Sequence, residues 1–296
     1  MTLSQKQKGI LALVGLAFTY ATFGFFTRYL AVRFGFFQQL YLRIIAGLLL
    51  GFVIFARQFD FSKLKKIATS EWLLIFFRSL GYYLLGAALF NKAVLLTKIS
   101  TVAFIGSIPM TAILGFILLK EEVTLKKVIY IMLSFVGVAV ISVKGFSGIF
   151  SWGQGEIFAL LSCFFASLAV VSRRFQSKLL NNVEITQLQL FFASLLIVVA
   201  SIVNREGTVL KNWSWPTLLI VFLAGFMNTA MIFLTNYGFE HIKTSIASNV
   251  LTLEMFFAVF IGFIFYREIP SWKDLSGAAL ILFSVIKMNQ LEAEVK

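Results

Sequence analysis

This sequence is short of charged residues and of the side chains that most enzymes use. Only 13% of its 296 residues are charged, about half of the roughly 25% that is usual in soluble domains. It contains three prolines, one cysteine and one histidine, while 59% of its residues are apolar. Such a composition excludes a long disordered region. A soluble chain of this length could not hide so much apolar surface from water, whereas a lipid bilayer would solvate it.

The single cysteine and the single histidine limit the chemistry further. Cys163 is the only cysteine, so it can form no disulfide within the chain. Because it lies in an apolar run, a buried thiol is expected. His241 stands between Glu240 and Lys243 in a stretch that is predicted to be a loop. No zinc or haem site, and no Ser-His-Asp or Cys-His arrangement, can be assembled from these residues. We therefore expect no catalytic residue, no metal and no cofactor.

Ten apolar runs divide the chain, each close to the 20 or so residues that cross a hydrocarbon core of about 30 Å. They cover residues 10–29, 35–56, 72–91, 98–119, 127–144, 156–173, 185–204, 216–238, 244–266 and 272–289. The predicted fold class is an all-α membrane protein with ten transmembrane helices, spans one to ten. Because the connections are short, no soluble domain is expected.

A shift of 147 residues brings the chain into register with itself. Under this shift Ala46 and Leu48 fall on Ala193 and Leu195, Thr97 and Ile99 on Thr244 and Ile246, Gly115-Phe116-Ile117 on Gly262-Phe263-Ile264, and Lys120-Glu121 on Arg267-Glu268. Each half holds five spans, and an odd number makes the second half enter the membrane from the opposite side. The sequence thus predicts two inverted five-helix repeats, residues 1–146 and 147–296. Carriers that expose one central site to each side in turn have this layout.

The net charge of +13 is carried mainly by short connections between the apolar runs. Fifteen basic residues fall on the side of the N-terminus and nine on the opposite side. By the positive-inside rule, this asymmetry favours a cell inner-membrane protein with both termini in the cytoplasm. No aromatic-basic module accompanies the charge, so nucleic acid is not an expected partner, whereas the lipid bilayer is.

Two spans share a motif that points to a family. Span four contains Ser107-Ile108-Pro109-Met110, Gly115 and Leu118-Leu119-Lys120-Glu121, and span nine contains Leu253-Glu254-Met255, Gly262 and Arg267-Glu268. With Arg43 in span two and with Gly137 and Gly277 in spans five and ten, the chain resembles the EamA-type, ten-helix members of the drug/metabolite transporter superfamily. The resemblance covers essentially the whole chain. It implies that spans one to four and six to nine form a pocket that spans five and ten brace.

The resemblance has one departure, in span nine. The family often has Glu-Pro where this chain has Glu254-Met255. A proline breaks a helix because it lacks an N–H and clashes with the preceding turn. We therefore expect a weaker break in span nine than the family pattern implies.

Glu254 is the only carboxylate well inside a span. A charged side chain at the bilayer centre costs at least about 2.5–3.5 kcal/mol, so it needs a partner or a wet cavity. One interpretation is a proton site or a contact for a substrate amine. The other, which we favour from the sequence, is a structural ion pair with Arg43, whose depth in span two also places it near the midplane.

The candidate substrate-binding residues include a second arginine. Arg78 lies near the cytoplasmic end of span three, and two arginines against one carboxylate favour a substrate with a carboxylate or phosphate. The alternative is that Arg78 snorkels to the lipid headgroups. The full set of candidates is Arg43, Arg78, Tyr41, Tyr82, Tyr83, Asn228, Asn249 and Glu254.

Asn249 belongs to a polar stripe on span nine. Ser245, Ser248 and Thr252 share its face because they are spaced three and four residues apart. In a straight helix Glu254 would lie on the opposite face. Either one of the two faces a neighbouring helix, or span nine is broken between them.

These observations favour secondary-active transport of a small polar metabolite, an amino acid or a related amine-carboxylate compound, by alternating access. An alternative substrate is a nucleotide-type metabolite, a nucleotide sugar or S-adenosylmethionine, and another class would be a membrane-embedded enzyme or a scaffold. A coupled proton or a counter-substrate is a further candidate partner. The protein is expected to be a monomer or a homodimer, and Gly47-x-x-x-Gly51 is expected to pack within one chain rather than between two.

Overall fold

The computed structural model describes residues 4–97, 102, 105–142, 153–207, 213–266 and 269–294. These residues form helices and the connections between them, with no strand. Three residues of the repeat, Ile99, Arg267 and Glu268, lie outside this described part. So do four of the basic residues counted for the orientation, namely Lys98, Lys144, Lys211 and Lys296. Predictions that rest on them stay predictions.

Seven α-helices have their bounds within the described residues of the first half. They are α1 (Gln5–Ala31), α2 (Phe36–Ile54), α3 (Phe61–Leu64), α4 (Thr69–Ser79), α5 (Ala88–Leu96), α6 (Met110–Leu118) and α7 (Leu125–Ser142). A π-helical segment, Leu80–Ala87, joins α4 to α5, and we call it the π segment. Spans one, two and five correspond to α1, α2 and α7. Span three is α4, the π segment and α5 together, and α6 is the second part of span four.

In the second half, six α-helices have their bounds within the described residues. They are α8 (Gln154–Val171), α9 (Asn182–Val203), α10 (Trp215–His241), α11 (Thr244–Leu251), α12 (Leu253–Tyr266) and α13 (Trp272–Glu294). Spans six, seven, eight and ten correspond to α8, α9, α10 and α13, whereas span nine is divided between α11 and α12.

Six helical stretches in the described part of the chain are long and apolar enough to cross a membrane. They are Phe36–Ile54, Thr69–Ala93, Gln154–Phe175, Asn182–Val203, Trp215–His241 and Thr244–Ile261. The all-α, multi-span architecture is therefore confirmed, while the number of ten spans remains a prediction.

Polar side chains start several of these helices at the places where the apolar runs begin. The Ser4 hydroxyl accepts a hydrogen bond from the backbone N–H of Gln7 at 3.2 Å, at the start of α1. The Asn181 side chain accepts one from the N–H of Glu184 at 2.9 Å, at the start of α9. Such caps satisfy backbone donors that the first helical turn leaves without a partner.

The two halves interleave instead of forming separate bundles. Helix α1 of the first half packs along α10 of the second half. After the shift of 147 residues, the equivalent contact is that of α8 in the second half with the π segment and α5 in the first. Helix α2 packs along α9, and α7 packs along α13. These last two contacts join equivalent helices, so they lie where a pseudo-twofold axis between the halves must pass. The main core therefore lies between the halves.

Glycines permit the closest of these contacts. A Cβ added to Gly47 of α2 would lie 2.7 Å from the backbone oxygen of Gly225 in α10. One added to Gly137 of α7 would lie 2.8 Å from the backbone oxygen of Gly277 in α13. Since any larger residue would have to push these helices apart, the glycines of span two serve packing within the chain, as the sequence predicted.

Candidate functional site

A cluster of tyrosines lies where α1, the π segment and α10 meet. The hydroxyl oxygens of Tyr20 and Tyr82 are 2.8 Å apart and share a hydrogen bond. The rings of Tyr82 and Tyr83 meet edge to face with centroids 5.3 Å apart. The Tyr83 hydroxyl donates to Oδ1 of Asn228 at 2.7 Å. One chain of polar contacts therefore crosses from the first half of the molecule to the second.

The π segment places two consecutive tyrosines in this cluster. In a regular α-helix neighbouring side chains point about 100° apart, but the wider π turn changes this phase. Here Tyr82 reaches α1 and Tyr83 reaches α10. Gly86 lets the wide turn fit against α8, because a Cβ at this position would lie 3.3 Å from that of Ala166. Single π turns within helices are frequent at functional sites.

Glu254 lies beside the tyrosine cluster, in the first turn of α12. Its carboxylate is close enough to interact electrostatically with the hydroxyls of Tyr20 and Tyr82. The side chain is partly exposed, although it belongs to a predicted span. Within the described part of the chain, the Glu254 carboxylate makes no hydrogen bond and no ion pair. The N-terminal end of a helix favours a negative charge at this position.

A break between α11 and α12 separates Glu254 from the polar stripe of span nine. The helix is interrupted at Thr252, whose hydroxyl donates to the backbone oxygen of Asn249 at 2.6 Å. A side chain that bonds its own helix in this way competes with the regular backbone pattern. The structure therefore contains the break that the sequence left open as one of two explanations, and it forms without a proline.

Asn249 faces α7 and α13. The second explanation, that the polar stripe faces a neighbouring helix, therefore holds as well. Its Oδ1 accepts hydrogen bonds from the hydroxyls of Ser134 in α7 at 2.7 Å and Ser284 in α13 at 3.1 Å. The side chain is 1% exposed. Asn249 therefore connects α11 to spans five and ten and lies apart from the tyrosine cluster.

Arg43 lies behind Tyr83. Its Nε donates to the backbone oxygen of Gln39 at 3.1 Å, and its charge is within electrostatic range of the Tyr83 hydroxyl. Only 1% of the side chain is exposed. Arg43 is thus a buried residue next to the cluster, near Tyr83.

The expected ion pair between Arg43 and Glu254 is not formed. The ion pairs within the described residues are Lys63–Glu184, Arg173–Glu240 and, when the imidazole is protonated, His241–Glu240. The Arg43 Nε is held within its own helix by the backbone oxygen of Gln39, whereas Glu254 is within electrostatic range of Tyr20 and Tyr82. Equal depth in the membrane did not imply contact.

Arg78 is held in a separate, fully buried network. Its Nε donates to the backbone oxygen of Ala169 at 2.9 Å, one terminal nitrogen donates to Oδ1 of Asn236 at 2.7 Å, and the other donates to Oε1 of Gln176. Asn236 in turn donates to Oε1 of Gln189 at 2.8 Å. Arg78 is 2% exposed, so it does not reach the lipid headgroups. It connects four segments through neutral acceptors.

Tyr41 lies in α2, two residues before Arg43. It is within electrostatic range of Glu206, whose carboxylate accepts hydrogen bonds of 2.9 Å from the backbone N–H groups of Phe37 and Gln38. Of the predicted candidates, the structure therefore brings together Arg43, Tyr82, Tyr83, Asn228 and Glu254. It places Tyr41, Arg78 and Asn249 elsewhere.

Tyr20 is the member of the cluster that was not among the candidates. The sequence offered a signal, since Tyr20 lies between Thr19 and Thr22 in an otherwise apolar span. The Thr19 hydroxyl, however, donates to the backbone oxygen of Gly15 within its own helix. Only the approach of the π segment distinguishes Tyr20 from its polar neighbours.

Glu121 closes the contact between α6 and α11. Its carboxylate accepts hydrogen bonds from the backbone N–H of Thr244 at 2.6 Å, the Thr244 hydroxyl at 2.7 Å and the backbone N–H of Ser245 at 3.0 Å. Burial alone would raise the pKa of Glu121, but these hydrogen bonds together outweigh it and hold the pKa below its usual range. Gly115 is part of the same contact, because a Cβ there would lie 1.8 Å from the Thr244 hydroxyl oxygen.

No group of three or more His, Cys, Asp or Glu side chains that could hold a metal ion occurs among the residues that the structure describes. The chemistry available at the tyrosine cluster is therefore hydrogen bonding, electrostatic attraction and protonation of a carboxylate. Such a set of groups can bind a polar or charged solute.

Comparison with known proteins agrees with this architecture. One solved crystal structure aligns over 96% of this chain and 98% of its own, with a TM-score of 0.79 and 15% sequence identity, so the two share a fold. A search of the curated proteins found none that matches. The sequence pattern of the EamA-like transporter family matches residues 7–143 and again residues 153–290. The chain therefore belongs to the EamA-like transporter family of the drug/metabolite transporter superfamily, as its motifs and its repeat predicted.

Proposed function

We propose that this membrane transporter is a secondary carrier for a small polar metabolite, an amino acid or a related amine-carboxylate compound. It would work by alternating access, with its site between the two halves near the membrane midplane. The observation that carries this proposal is a polar cluster, Glu254 with Tyr20, Tyr82 and Tyr83, placed at a break in a membrane helix.

Breaks at equivalent positions in the two halves support alternating access. Thr252, moved back by 147 residues, falls on Ile105, and the turn that begins at Ile105 ends at Pro109 before α6 starts. The N–H of Ile108 donates to the backbone oxygen of Ile105 at 3.1 Å within this turn. Discontinuous helices of two inverted repeats commonly surround the substrate of a secondary transporter, because they can move relative to their fixed neighbours.

The charges of the cluster support the substrate class. Glu254 supplies a carboxylate within electrostatic range of Tyr20 and Tyr82, and Arg43 supplies a guanidinium within range of Tyr83. A substrate with an amine and a carboxylate matches both signs of charge. The remaining wall consists of hydroxyl and amide groups, which can bind the uncharged polar atoms of a small metabolite.

A nucleotide-type metabolite is supported less well. That interpretation relied on Arg78 to bind a phosphate beside stacking tyrosines. The Arg78 guanidinium is instead held by Ala169, Gln176 and Asn236 in a buried network away from the cluster.

The proposal includes the arrangement of the chain in the membrane. It has ten spans in two inverted repeats, residues 1–146 and 147–296, and both termini lie on the cytoplasmic side of the cell inner membrane. The asymmetry of the basic residues supports this orientation. The interleaved packing of α2 with α9 and of α7 with α13 supports the inverted repeat.

Counterflow in liposomes tests the proposed function. Purified protein is reconstituted into liposomes that are loaded with a mixture of unlabelled amino acids, and entry of each labelled amino acid is measured. We expect transient accumulation of at least one of them above its external concentration. Liposomes that contain heat-denatured protein are the control. If no amino acid accumulates while a nucleotide sugar or S-adenosylmethionine does under the same conditions, the substrate class is wrong.

A further inference from the structure

We propose that a small monovalent anion of about the size of chloride binds between Arg78, Arg173 and Gln176, at the end of α8. The site goes beyond the proposed function, because the ion is a structural component and not a transported solute. It neutralises a buried guanidinium of the first half where that group contacts the second half, and it thereby stabilises the contact between the halves.

Arg78 has no negatively charged partner in the described part of the chain. Its guanidinium donates to the backbone oxygen of Ala169 at 2.9 Å, to Oδ1 of Asn236 at 2.7 Å and to Oε1 of Gln176. These acceptors are neutral, and they use three of its five N–H groups. The charged group within electrostatic range of Arg78 is a second guanidinium, that of Arg173. Because a buried charge without a counter-ion is costly, this position favours an anion.

Gln176 places an unused donor beside the Arg78 guanidinium. Its Oε1 accepts the hydrogen bond from Arg78, whereas its Nε2 has no hydrogen-bond partner among the described residues. The side chain is 8% exposed. Since the two amide atoms are bonded to the same carbon, Nε2 lies next to the Arg78 hydrogen bond. A flipped amide would point its donor at the guanidinium and leave its oxygen unused. An anion can therefore accept from both side chains at once.

Arg173 provides a further unused donor from the same turn. It belongs to the 3₁₀ turn Ser172–Phe175, and the backbone N–H of Gln176 donates to the Arg173 oxygen at 3.3 Å. Side chains three residues apart in such a turn lie on one side of it. Arg173 is 3% exposed, and its Nε has no hydrogen-bond partner in the part of the chain that is described. One terminal nitrogen contacts Asn182 at 2.9 Å and Glu240 at 3.2 Å.

Two carboxylates lie nearby, but they serve Arg173. Glu240 pairs with Arg173 and also accepts a hydrogen bond from Nδ2 of Asn182 at 2.6 Å. Glu71 is within electrostatic range of Arg173. Neither carboxylate is among the groups within range of Arg78. The charge that lacks a counter-ion is therefore that of Arg78, and one monovalent anion neutralises it.

Burial selects the kind of anion. Since the three side chains are at most 8% exposed, a bound ion gives up its water. This loss is more costly for a divalent ion such as sulfate than for chloride, because the cost of leaving water rises with charge. Phe175 and Ser177, the neighbours of Gln176 in the chain, are exposed. A small ion can therefore enter from the surface without crossing the molecule.

Unfolding in chloride and in gluconate tests the site with the whole chain in detergent. The unfolding midpoint is measured over a series of sodium chloride concentrations, and sodium gluconate keeps the ionic strength constant because gluconate is too large for a buried site. We expect the midpoint to rise with chloride and then to level off, by about 2–4 °C at ten times the dissociation constant. Sodium bromide should have the same effect.

The variant Gln176→Glu replaces the anion with a side chain. Its carboxylate keeps an acceptor for Arg78 and supplies the negative charge itself. We therefore expect the same midpoint in chloride and in gluconate for this variant. Gln58→Glu makes the same chemical change at an exposed position and is the matched control, which should keep the chloride response of the wild type.

Bromide diffraction locates the ion even if Gln176→Glu does not fold. In crystals of the wild type grown in sodium bromide, an anomalous peak should lie within hydrogen-bond distance of the Arg78 guanidinium and of Nε2 of Gln176.

Three results would overturn the site. Equal midpoints of the wild type in chloride and in gluconate would show that no small anion stabilises the fold. A chloride response that Gln176→Glu retains would place the effect elsewhere, and so would crystals without a bromide peak at Arg78. These measurements involve no substrate, so their failure leaves the proposed function intact, and failure of counterflow leaves the anion site intact.

Discussion

At the scale of single residues, two buried arginines with similar sequence surroundings have different roles. Arg43 stands behind a tyrosine of the candidate site, and Arg78 holds four segments together at a distance from it. Both guanidiniums are within apolar spans, so composition and depth could not distinguish them. Their neighbours, which come from other helices, determine what each one does.

Arg43 should affect transport more than stability. Arg43→Lys keeps a positive charge behind Tyr83, whereas Arg43→Ala removes the charge that acts on its hydroxyl. We expect initial counterflow rates to fall about tenfold or more in Arg43→Ala, and less in Arg43→Lys. Unfolding curves of both variants in detergent serve as the check that they fold.

The double variant Arg43→Ala with Glu254→Ala examines the missing ion pair. Because Arg43 and Glu254 form no ion pair in the structure, the second change should not rescue the first. Recovery of expression and flux in the double variant would show that the two charges do pair.

Arg78 should affect stability more than transport chemistry. Arg78→Ala leaves the side chains of Gln176 and Asn236 without their buried donor. A buried neutral acceptor that is left without its donor typically costs about 1–3 kcal/mol. We expect a marked fall in the unfolding midpoint of the detergent-solubilised protein. Arg57→Ala, at an exposed position, is the matched control and should change stability by less than about 0.5 kcal/mol. An unchanged midpoint in Arg78→Ala would contradict the structural role.

At the scale of elements, the interruptions of helices carry more of the proposed function than the helices themselves. The apolar runs predicted span three as one continuous helix, and the sequence left open whether span nine is broken. The structure inserts a π turn into the first and divides the second at Thr252. Neither span contains a proline at its interruption, so the usual sequence signal was absent. Packing against α8, and the Thr252 hydroxyl bonded to Asn249, take the place of that signal.

The contact between α6 and α11 should depend on Gly115. A Cβ at this position would lie 1.8 Å from the Thr244 hydroxyl oxygen, too close for any arrangement without movement of a helix. We expect Gly115→Ala to lower the unfolding midpoint and to slow counterflow. Gly106→Ala is the matched control, since a Cβ there meets nothing within 4 Å. Equal effects of the two variants would show that the contact is not required.

Glu121 should make the stability of this contact depend on pH. The pKa of its carboxyl is lower in the folded protein than in the unfolded chain, where it is about 4.3–4.5. Its contribution to stability is therefore fully present above that unfolded value, and it is lost as the pH falls through the folded value. The difference in unfolding midpoint between the wild type and Glu121→Gln should be constant from neutral to mildly acidic pH, and it should shrink below about pH 4.3.

The adjacent carboxylate provides the comparison for Glu121. Glu122 is exposed, so Glu122→Gln should leave the midpoint almost unchanged at every pH. A Glu121→Gln variant that matches the wild type at neutral pH would show that these hydrogen bonds add nothing.

At the scale of the whole molecule, interleaving makes each half depend on the other. Helix α1 is covered by α10, and α8 by the π segment and α5. A relative movement of the halves must therefore act through the contacts that join them. The tyrosine cluster and the α6–α11 contact are both of this kind.

The orientation in the membrane can be measured because the chain has one cysteine. In a Cys163→Ser background, Lys65→Cys and Asn204→Cys each add one thiol at an exposed position. With both termini in the cytoplasm, a membrane-impermeant maleimide should label Asn204→Cys in intact cells and Lys65→Cys only after permeabilisation. The opposite pattern would reverse the predicted orientation but leave the inverted repeat intact.

The sequence by itself determined the class of the protein. Apolar runs of membrane length, few charges and the repeat at 147 residues require a helical membrane protein, because a bilayer accepts only segments whose backbone groups are satisfied internally. The motifs around Pro109 and Glu254 predicted the family, which the family match confirmed. The glycines of α2 were predicted correctly as packing residues, since only a missing Cβ allows such close contact.

Only the tertiary structure decided which polar residues meet. Tyr20 and Glu254 are 234 residues apart in the chain, and both tyrosines within electrostatic range of Glu254 come from the other half of the molecule. The π turn in span three sends Tyr82 to α1 and Tyr83 to α10, which periodicity along the sequence does not show. Arg43 and Glu254 were predicted at similar depths but form no ion pair, because depth in a membrane fixes one coordinate and packing between helices fixes the other two.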